Sequence, residues 1–495
     1  MDATSHSFKR NVHARLGDEA LQANLRRFGG GFADRRRDAV GRVDDFEALR
    51  DRASEIRAEV LTHLDHWLLA FEAEATRRGT AVHWAETGAE ANQILLGIAR
   101  AAGVQRVIKS KSMVSEESGL NAVLGAAGIE VTETDLGEYI LQLADEPPSH
   151  IIAPAIHKSR DEVSALFAEH HGTPLTRDIP ALCEEARQHL RPRFLQADMG
   201  VSGGNFLIAE TGSVAIVTNE GNGRMVTTLP RVHVAITGIE KVLPTLDDLS
   251  AILRVLPRSA TGQDITNYVS VLTGTRDAGA DDGPEQNHVI LVDNGRSRLL
   301  GGALHDALRC IRCGACMNHC PVYQNIGGHA YGWVYPGPIG AILTPAFLGL
   351  EKALDLPQAS TLCAACEVVC PVRIPLPELM RTLREQEMEQ GLRPWHERLS
   401  IRLWRWLALH PALYAVATRW GIRVLRWLAG KDGQVHRLPG LDGWTEGRDM
   451  PAPQGSTFRD QWRTQLAARE AQGKARAAAT PVAMAAAGAA RSKAP

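Results

Sequence analysis

Seven of the eight cysteines in this 495-residue chain lie between positions 310 and 370, in two tight groups. Metal sites concentrate thiols in this way because their ligands must converge on one centre, whereas a disulfide framework is not expected in a long chain of cytosolic character. The first group, Cys310-x2-Cys313-x2-Cys316-x3-Cys320-Pro321, has the spacing of a bacterial-ferredoxin [4Fe-4S] loop. In such loops three thiolates close on one cubane and the fourth belongs to a second. Thiolate is the soft, charge-donating ligand that iron in this state requires. The second group, Cys363-x2-Cys366-x3-Cys370-Pro371, repeats the end of the same pattern.

The crossed arrangement of paired clusters assigns Cys310, Cys313, Cys316 and Cys370 to cluster one, and Cys320, Cys363 and Cys366 to cluster two. Cluster two is one thiolate short, and Ser360 stands where the missing cysteine would be. A serine oxygen, another side chain or water completes a [4Fe-4S] cluster, or the site holds [3Fe-4S]; the spacing leaves these open. The eighth cysteine, Cys183 in ALCEEARQHL, reads as a buried apolar residue at helical spacing.

Lys plus Arg (55) nearly balances Asp plus Glu (57), which disfavours a nucleic-acid role. No stretch of about 18 uncharged apolar residues suggests a transmembrane helix, and the N-terminus lacks the apolar core of a secretory signal, so a cytoplasmic protein is expected. Residues 1–70 carry helical spacing. From 71 to 295, β-rich runs (VQRVIK, IEVTE, HIIAP, NFLIAE, SVAIVTN, VHVAITG, HVILVD) alternate with helical stretches, the pattern of an α/β domain with a largely parallel sheet. NFLIAE and SVAIVTN, joined through Thr211-Gly212, read as a hairpin within that sheet. Residues 296–390 hold both cysteine groups among helices, 391–446 form a Trp- and Arg-rich helical region broken at His410-Pro411, and 447–495 read as a flexible, Ala-rich tail.

Gly327-Gly328-His329-Ala330-Tyr331, Tyr335-Pro336-Gly337-Pro338-Ile339-Gly340 and the segment from Ser360 to Leu376 resemble the lactate-utilisation iron-sulfur protein B family (LutB/YkgF). Lys109 to Glu117, KSKSMVSEE, is similar to the signature of its LUD domain. The resemblance implies a Rossmann-like LUD domain, similar to sugar-phosphate isomerases and CoA transferases, followed by an α-helical two-cluster ferredoxin domain. It also implies two iron-sulfur clusters and a non-catalytic electron-transfer subunit. That subunit would work with companion lactate-utilisation subunits that oxidise L-lactate to pyruvate and pass electrons to an unknown acceptor.

Within the α/β region, three loop clusters, Lys109 to Glu117, Gly200 to Asn205 and Glu220 to Arg224, are placed to line a crevice at strand ends. Lys109, Lys111 and Arg224 are the candidate contacts to a small anion there. A scaffold role is the favoured alternative for this domain, and Glu210-Thr211-Gly212 reads as a hairpin turn rather than as the glutamate of a CoA transferase. His329, Tyr331 and Tyr335 are candidates for hydrogen bonds to a cluster. The interleaved tryptophans and arginines of 395–427 suit a helical hairpin, partner docking or peripheral contact with an anionic membrane. The alternative function is a ligand-binding enzyme or redox sensor acting on a small anion.

Overall fold

Short runs of Val and Ile set the frame. In the computed structural model, which describes residues 3–28, 31–438, 445, 447–472 and 474, the chain divides into two units, residues 1–392 and 393–495. The first contains ten strands: β1 (Thr80–Ala85), β2 (Arg106–Lys109), β3 (Glu130–Glu133), β4 (Met199–Gly203), β5 (Phe206–Ile208), β6 (Ser213–Thr218), β7 (Val232–Gly238), β8 (Val242–Leu243), β9 (Tyr268–Leu272) and β10 (Gln286–Val292). Six of them, in the order β1-β10-β7-β4-β2-β3, form a sheet whose pairings are all parallel.

Strand periodicity explains how both faces of this sheet are covered. Val234, Ile236, Ile290 and Val292 pack with helices Gly88–Ala101 and Leu120–Ala126, while the alternate residues Ala235, Val289 and Leu291 pack with Leu68 and Phe71 of helix Leu64–Arg77. The expected hairpin forms, with Ile208 opposite Ser213, but it belongs to a second sheet, β8-β5-β6-β9, and not to the main one. Its turn needs Gly212 at φ +62°, where a Cβ would collide with the Ala75 backbone.

HIIAP is not a strand. The His150 ring is buried, its Nδ1 accepts the Ile152 and Ala153 N–H groups, and its Nε2 donates to Asn318 Oδ1 at 3.0 Å, so the chain bends around it. Strands β1, β4, β8 and β9 were not expected from the pattern.

Among the described residues, five helices between Phe8 and Arg77 precede the sheet. Phe8, Phe46, Ala53 and Ile56 share one core with Phe206 and Ile208 of the second sheet and with Leu308, Ile311 and Tyr331 of the cysteine region. The sequence boundaries near 70 and 295 are therefore not boundaries of packing, because apolar faces on either side of each are buried against one another. In the second unit, helices Trp395–Ala408 and Pro411–Leu428 pack together with no fully buried residue, and the break falls at His410 as Pro411 dictates. Beyond 447, where a flexible tail was expected, Met450–Pro451 pairs with Gln434–Val435 and residues 458–472 are helical. The Ala-rich end, 475–495, lies outside the described residues.

Arg57, fully buried on helix Phe46–Thr62, donates to the carbonyls of Val242 (3.1 Å), Leu308 (3.1 Å), Arg309 (3.3 Å) and Glu240. Arg57→Leu strands these carbonyls, so a loss of about 3–5 kcal/mol in urea denaturation is expected. A loss below about 1 kcal/mol would show that water or a shifted chain replaces the guanidinium.

Candidate metal centre and adjoining cavity

The two cysteine groups fold alike. Arg312 (φ +59°) and Gly314 (φ +74°) flank Cys313, just as Leu362 (φ +54°) and Ala364 (φ +63°) flank Cys363. A one-turn helix follows in each, Ala315–Asn318 and Ala365–Val368. Left-handed backbone at non-glycine residues costs on the order of 1–2 kcal/mol each. Here it turns N–H groups toward the first side chain of each loop. The Arg312 N–H reaches Cys310 Sγ at 3.4 Å, and the Leu362 N–H reaches Ser360 Oγ at 3.1 Å. The Ser360 hydroxyl thus holds the place in the second loop that the Cys310 thiol holds in the first.

Cys310, Cys313, Cys316 and Cys370 line one narrow recess, closed by apolar residues that include Ile151, Ile339 and Ile374. Burial drives the Cys313, Cys316 and Cys370 thiols upward, and repulsion among the four adds to it. Cys320, Cys363 and Cys366 lie together instead. Cys366 is pushed up to about 12 by burial, then by Cys320 and Cys363. Burial also raises Cys320, with Cys363 contributing. Cys363 is exposed and is lowered, through hydrogen bonds from Thr361 and the Ala365 N–H.

Buried thiols in apolar surroundings stay protonated unless a cation takes the proton's place, which a thiophilic metal does. The surroundings suit a group of net negative charge. Arg50 donates to the Cys370 carbonyl at 2.8 and 3.1 Å, and Lys241 donates to the Cys310 carbonyl at 2.9 Å. The Tyr331 hydroxyl is buried without a partner among the described residues, within electrostatic reach of Cys320, Cys316 and Cys366. Of the three residues expected to touch a cluster, only Tyr331 has this position. His329 meets the Pro147 carbonyl at 2.8 Å, and Tyr335 donates to Glu117 at 2.6 Å. Cys183 is exposed rather than buried, because Leu182, Ala186, Leu190 and Phe194 form the inner face of its helix.

A cavity of about 560 Å³ opens at the C-terminal ends of β2, β4 and β7, where open parallel sheets place ligands. All three loop clusters contribute, through Ser110 to Ser112, Gly203 to Asn205, and Glu220 with Asn222. Of the three candidate cations, only Lys111 lines it. Lys109 is consumed by ion pairs to Glu116 (2.6 Å) and Glu133 (2.8 Å), and Arg224 lies over the Tyr268 ring at 5.5 Å, outside the lining. Two cations the sequence reading missed, Lys241 and Arg312, complete the set. The signal for Lys241 was a charged pair, Glu240-Lys241, directly after the apolar run of β7. Ile311 and Arg312 line both this cavity and the cysteine recess. Glu210 accepts the Leu246 N–H at 3.0 Å, as a turn residue does.

Three family models match in succession: the LUD domain over residues 68–292, the 4Fe-4S dicluster domain over 306–374, and the lactate utilisation protein B C-terminal region over 380–467. The lactate utilization protein B of Bacillus licheniformis is 42% identical over 463 residues, 93% of this chain and 97% of that protein. The uncharacterized electron transport protein YkgF of Escherichia coli (strain K12) is 41% identical over 466 residues, 94% and 98% of the two chains. A DUF162 family crystal structure from Deinococcus radiodurans aligns with 48% of this chain and 98% of its own at 16% identity and a TM-score of 0.24, too low to bear on the fold.

Beside the cavity, Glu138 is 8% exposed and sits 3.3 Å from Lys111. Burial pushes its carboxyl up to about 7, against the pull of Lys111. A carboxyl raised on folding stabilises the fold below its unfolded value and loses that contribution as pH climbs through the folded value. Glu138→Gln removes this dependence. Between pH 5 and pH 8 the variant should gain about 2–3 kcal/mol on the natural protein in urea denaturation, by the usual conversion of pKa into energy. Parallel stability curves would show that Glu138 keeps an ordinary pKa.

Proposed function

The chain belongs to the lactate utilisation protein B family, and from that premise we propose that it is the electron-relay subunit of an L-lactate-oxidising assembly, carrying two iron-sulfur clusters in its cysteine loops. Cys310, Cys313, Cys316 and Cys370 hold cluster one in this reading, and Cys320, Cys363 and Cys366 hold cluster two, with Ser360 at its fourth position. The observation that carries it is the four-plus-three grouping of the thiols, four lining one recess and the other three reaching the surface at Cys363. Cys363 is exposed, and Leu362 and Val368 beside it are 39% and 67% exposed. Cluster two is thus the point of exchange with a partner, and cluster one the inner station.

When bound, such clusters supply one-electron storage. The chain's own groups hold them in place: inward N–H groups meet the ligand atoms, and Arg50 and Lys241 offset negative charge near Cys370 and Cys310. The partners are companion subunits of lactate oxidation, the electrons pass on to an unknown acceptor, and the cytoplasm is the expected location. Among the described residues no helix is long and apolar enough to cross a membrane. A Rossmann-like kinship of the parallel sheet with sugar-phosphate isomerases and CoA transferases is part of the same reading, supported by the crevice at its strand ends.

Anaerobic reconstitution should give about seven to eight irons per chain. Zinc without iron would overturn the reading. Cys320→Ala should abolish cluster two and spare much of cluster one, whereas Cys370→Ala should damage cluster one; EPR or Mössbauer spectra that show the reverse would refute the crossed assignment. Ser360→Cys should slow the appearance of a [3Fe-4S] signal in air severalfold, since a thiolate replaces a weaker fourth ligand. Equal rates in the two proteins would mean that position 360 is not a ligand position.

A further inference from the structure

We propose that the cavity at the ends of β2, β4 and β7 is a binding site for a small organic carboxylate, held by Lys111 and Arg312 against the inner cysteine recess. The inference rests on the relay reading and adds a ligand to it.

Among the described residues, three that line the cavity keep a buried polar atom without a hydrogen-bond partner: Lys111 Nζ, which stands 3.3 Å from Glu138, Arg312 Nη1, whose sister Nη2 donates to Glu240 at 3.4 Å, and Asn222 Oδ1. The acidic residues of the lining are engaged already. Glu240 is paired with Arg296 at 2.7 Å, Asp135 caps a helix through the Gly137 N–H at 3.1 Å, and Glu220 accepts the Leu136 N–H at 3.3 Å. Glu138 beside Lys111 and Glu240 beside Arg312 leave donors of both cations to spare, which an acceptor seated in the cavity would meet. Lys111 and Arg312 are only 20% and 10% exposed, so an anion gains more from them than it would from surface cations. A guanidinium presents its N–H groups in the planar geometry of a carboxylate. Asn222 offers a free carbonyl oxygen, which suits a hydroxyl or other donor on the same ligand. The volume lies within the range of small-molecule sites and needs no opening of the fold.

The position of the site gives it a role. Arg312 lies between Cys310 and Cys313 in the chain and lines both spaces, and Lys241 of the same lining donates to the Cys310 carbonyl at 2.9 Å. A carboxylate seated on Arg312 adds negative charge beside the inner cluster and leaves the outer one almost untouched, so ligand occupancy is read as the potential of the inner cluster alone.

The test uses the full chain, reconstituted anaerobically, with L-lactate, pyruvate and inorganic phosphate as separate probes in calorimetry. One saturable site for L-lactate or pyruvate is expected. Lys111→Met should weaken it by about 10- to 150-fold at unchanged iron content, the loss of one charge-assisted contact, and Lys111→Arg should restore most of it. In EPR-monitored redox titrations, saturating carboxylate should lower the midpoint of the inner cluster only. Absence of saturable binding by both carboxylates, binding of phosphate alone, binding indifferent to Lys111→Met, or equal shifts in both clusters would each overturn the proposal. Should Lys111→Met fail to fold, binding and the potential shift in the unaltered chain still decide. Iron content and reducibility judge the relay reading separately, so the two can fail independently.

Discussion

Arg296 is the residue through which the parallel sheet and the cysteine region are tied together. It is fully buried, and its guanidinium makes a two-pronged pair with Glu117 at 2.9 Å and a further bond to Glu240 at 2.7 Å. Taking these charges out of water costs several kcal/mol per ion, and only close pairing with every remaining atom satisfied recovers it. The satisfaction is nearly complete. Asn294 and Tyr335 donate to Glu117, while Arg312 stands 3.4 Å and Lys241 3.8 Å from Glu240. Burial raises both acids, but the arginine outweighs it and holds Glu240 down at about 2. One network thereby joins a helix after β2, the end of β7, the segment after β10 and the first cysteine loop. Polar sequence near 295 ends the sheet pattern without ending the packing because the segment just beyond it is the seat of this network.

The network also explains why the cavity lies where it does. Strand ends of a parallel sheet leave a crevice, and the cysteine loop, anchored through Arg312, forms its far wall. On the relay reading this makes the inner cluster a neighbour of the cavity rather than of bulk water. The second loop repeats the first in backbone, but Ser360 stands where the first has Cys310 and Cys363 is exposed where Cys313 is buried, so the two loops differ by environment more than by fold. On the same reading, metal binding should be coupled to folding most strongly where burial raises the Cys313, Cys316 and Cys370 thiols, and less so at exposed Cys363.

Residues that act through local spacing were legible in the sequence. The cysteine pattern encodes two loops directly, since the same spacing in both segments gives the same left-handed turns and one-turn helix. The alternating rows of β7 and β10 were legible for the same reason, a period that burial enforces. Charges were not. Lys109 looked as available as Lys111, and only the approach of Glu116 and Glu133 in the fold consumes it. Arg312 was hidden among the spacer positions of the motif, where any residue satisfies the pattern. Cys183 was misplaced by residue type, although the spacing of Leu182, Ala186 and Leu190 already assigned the inner face to others. The apolar run at Ile151-Ile152 mimicked a strand because nothing local announces that a buried imidazole will collect its neighbours' N–H groups.

A site that couples charge to potential acts in both directions. If a carboxylate on Arg312 makes the inner cluster harder to reduce, reduction of that cluster must weaken carboxylate binding by the same free energy. An electron arriving at the inner station then favours release of the anion, and its departure through the exposed outer loop favours rebinding. Occupancy and electron flow would alternate with no hinge or lid, because the distance between Arg312 and the thiols beside it is set by the chain itself. The buried pairing of Arg296 with Glu117 and Glu240, and of Glu240 with Arg312 at 3.4 Å, ties that loop to the sheet, so the coupling would be carried by the field of the ligand and not by movement of the fold.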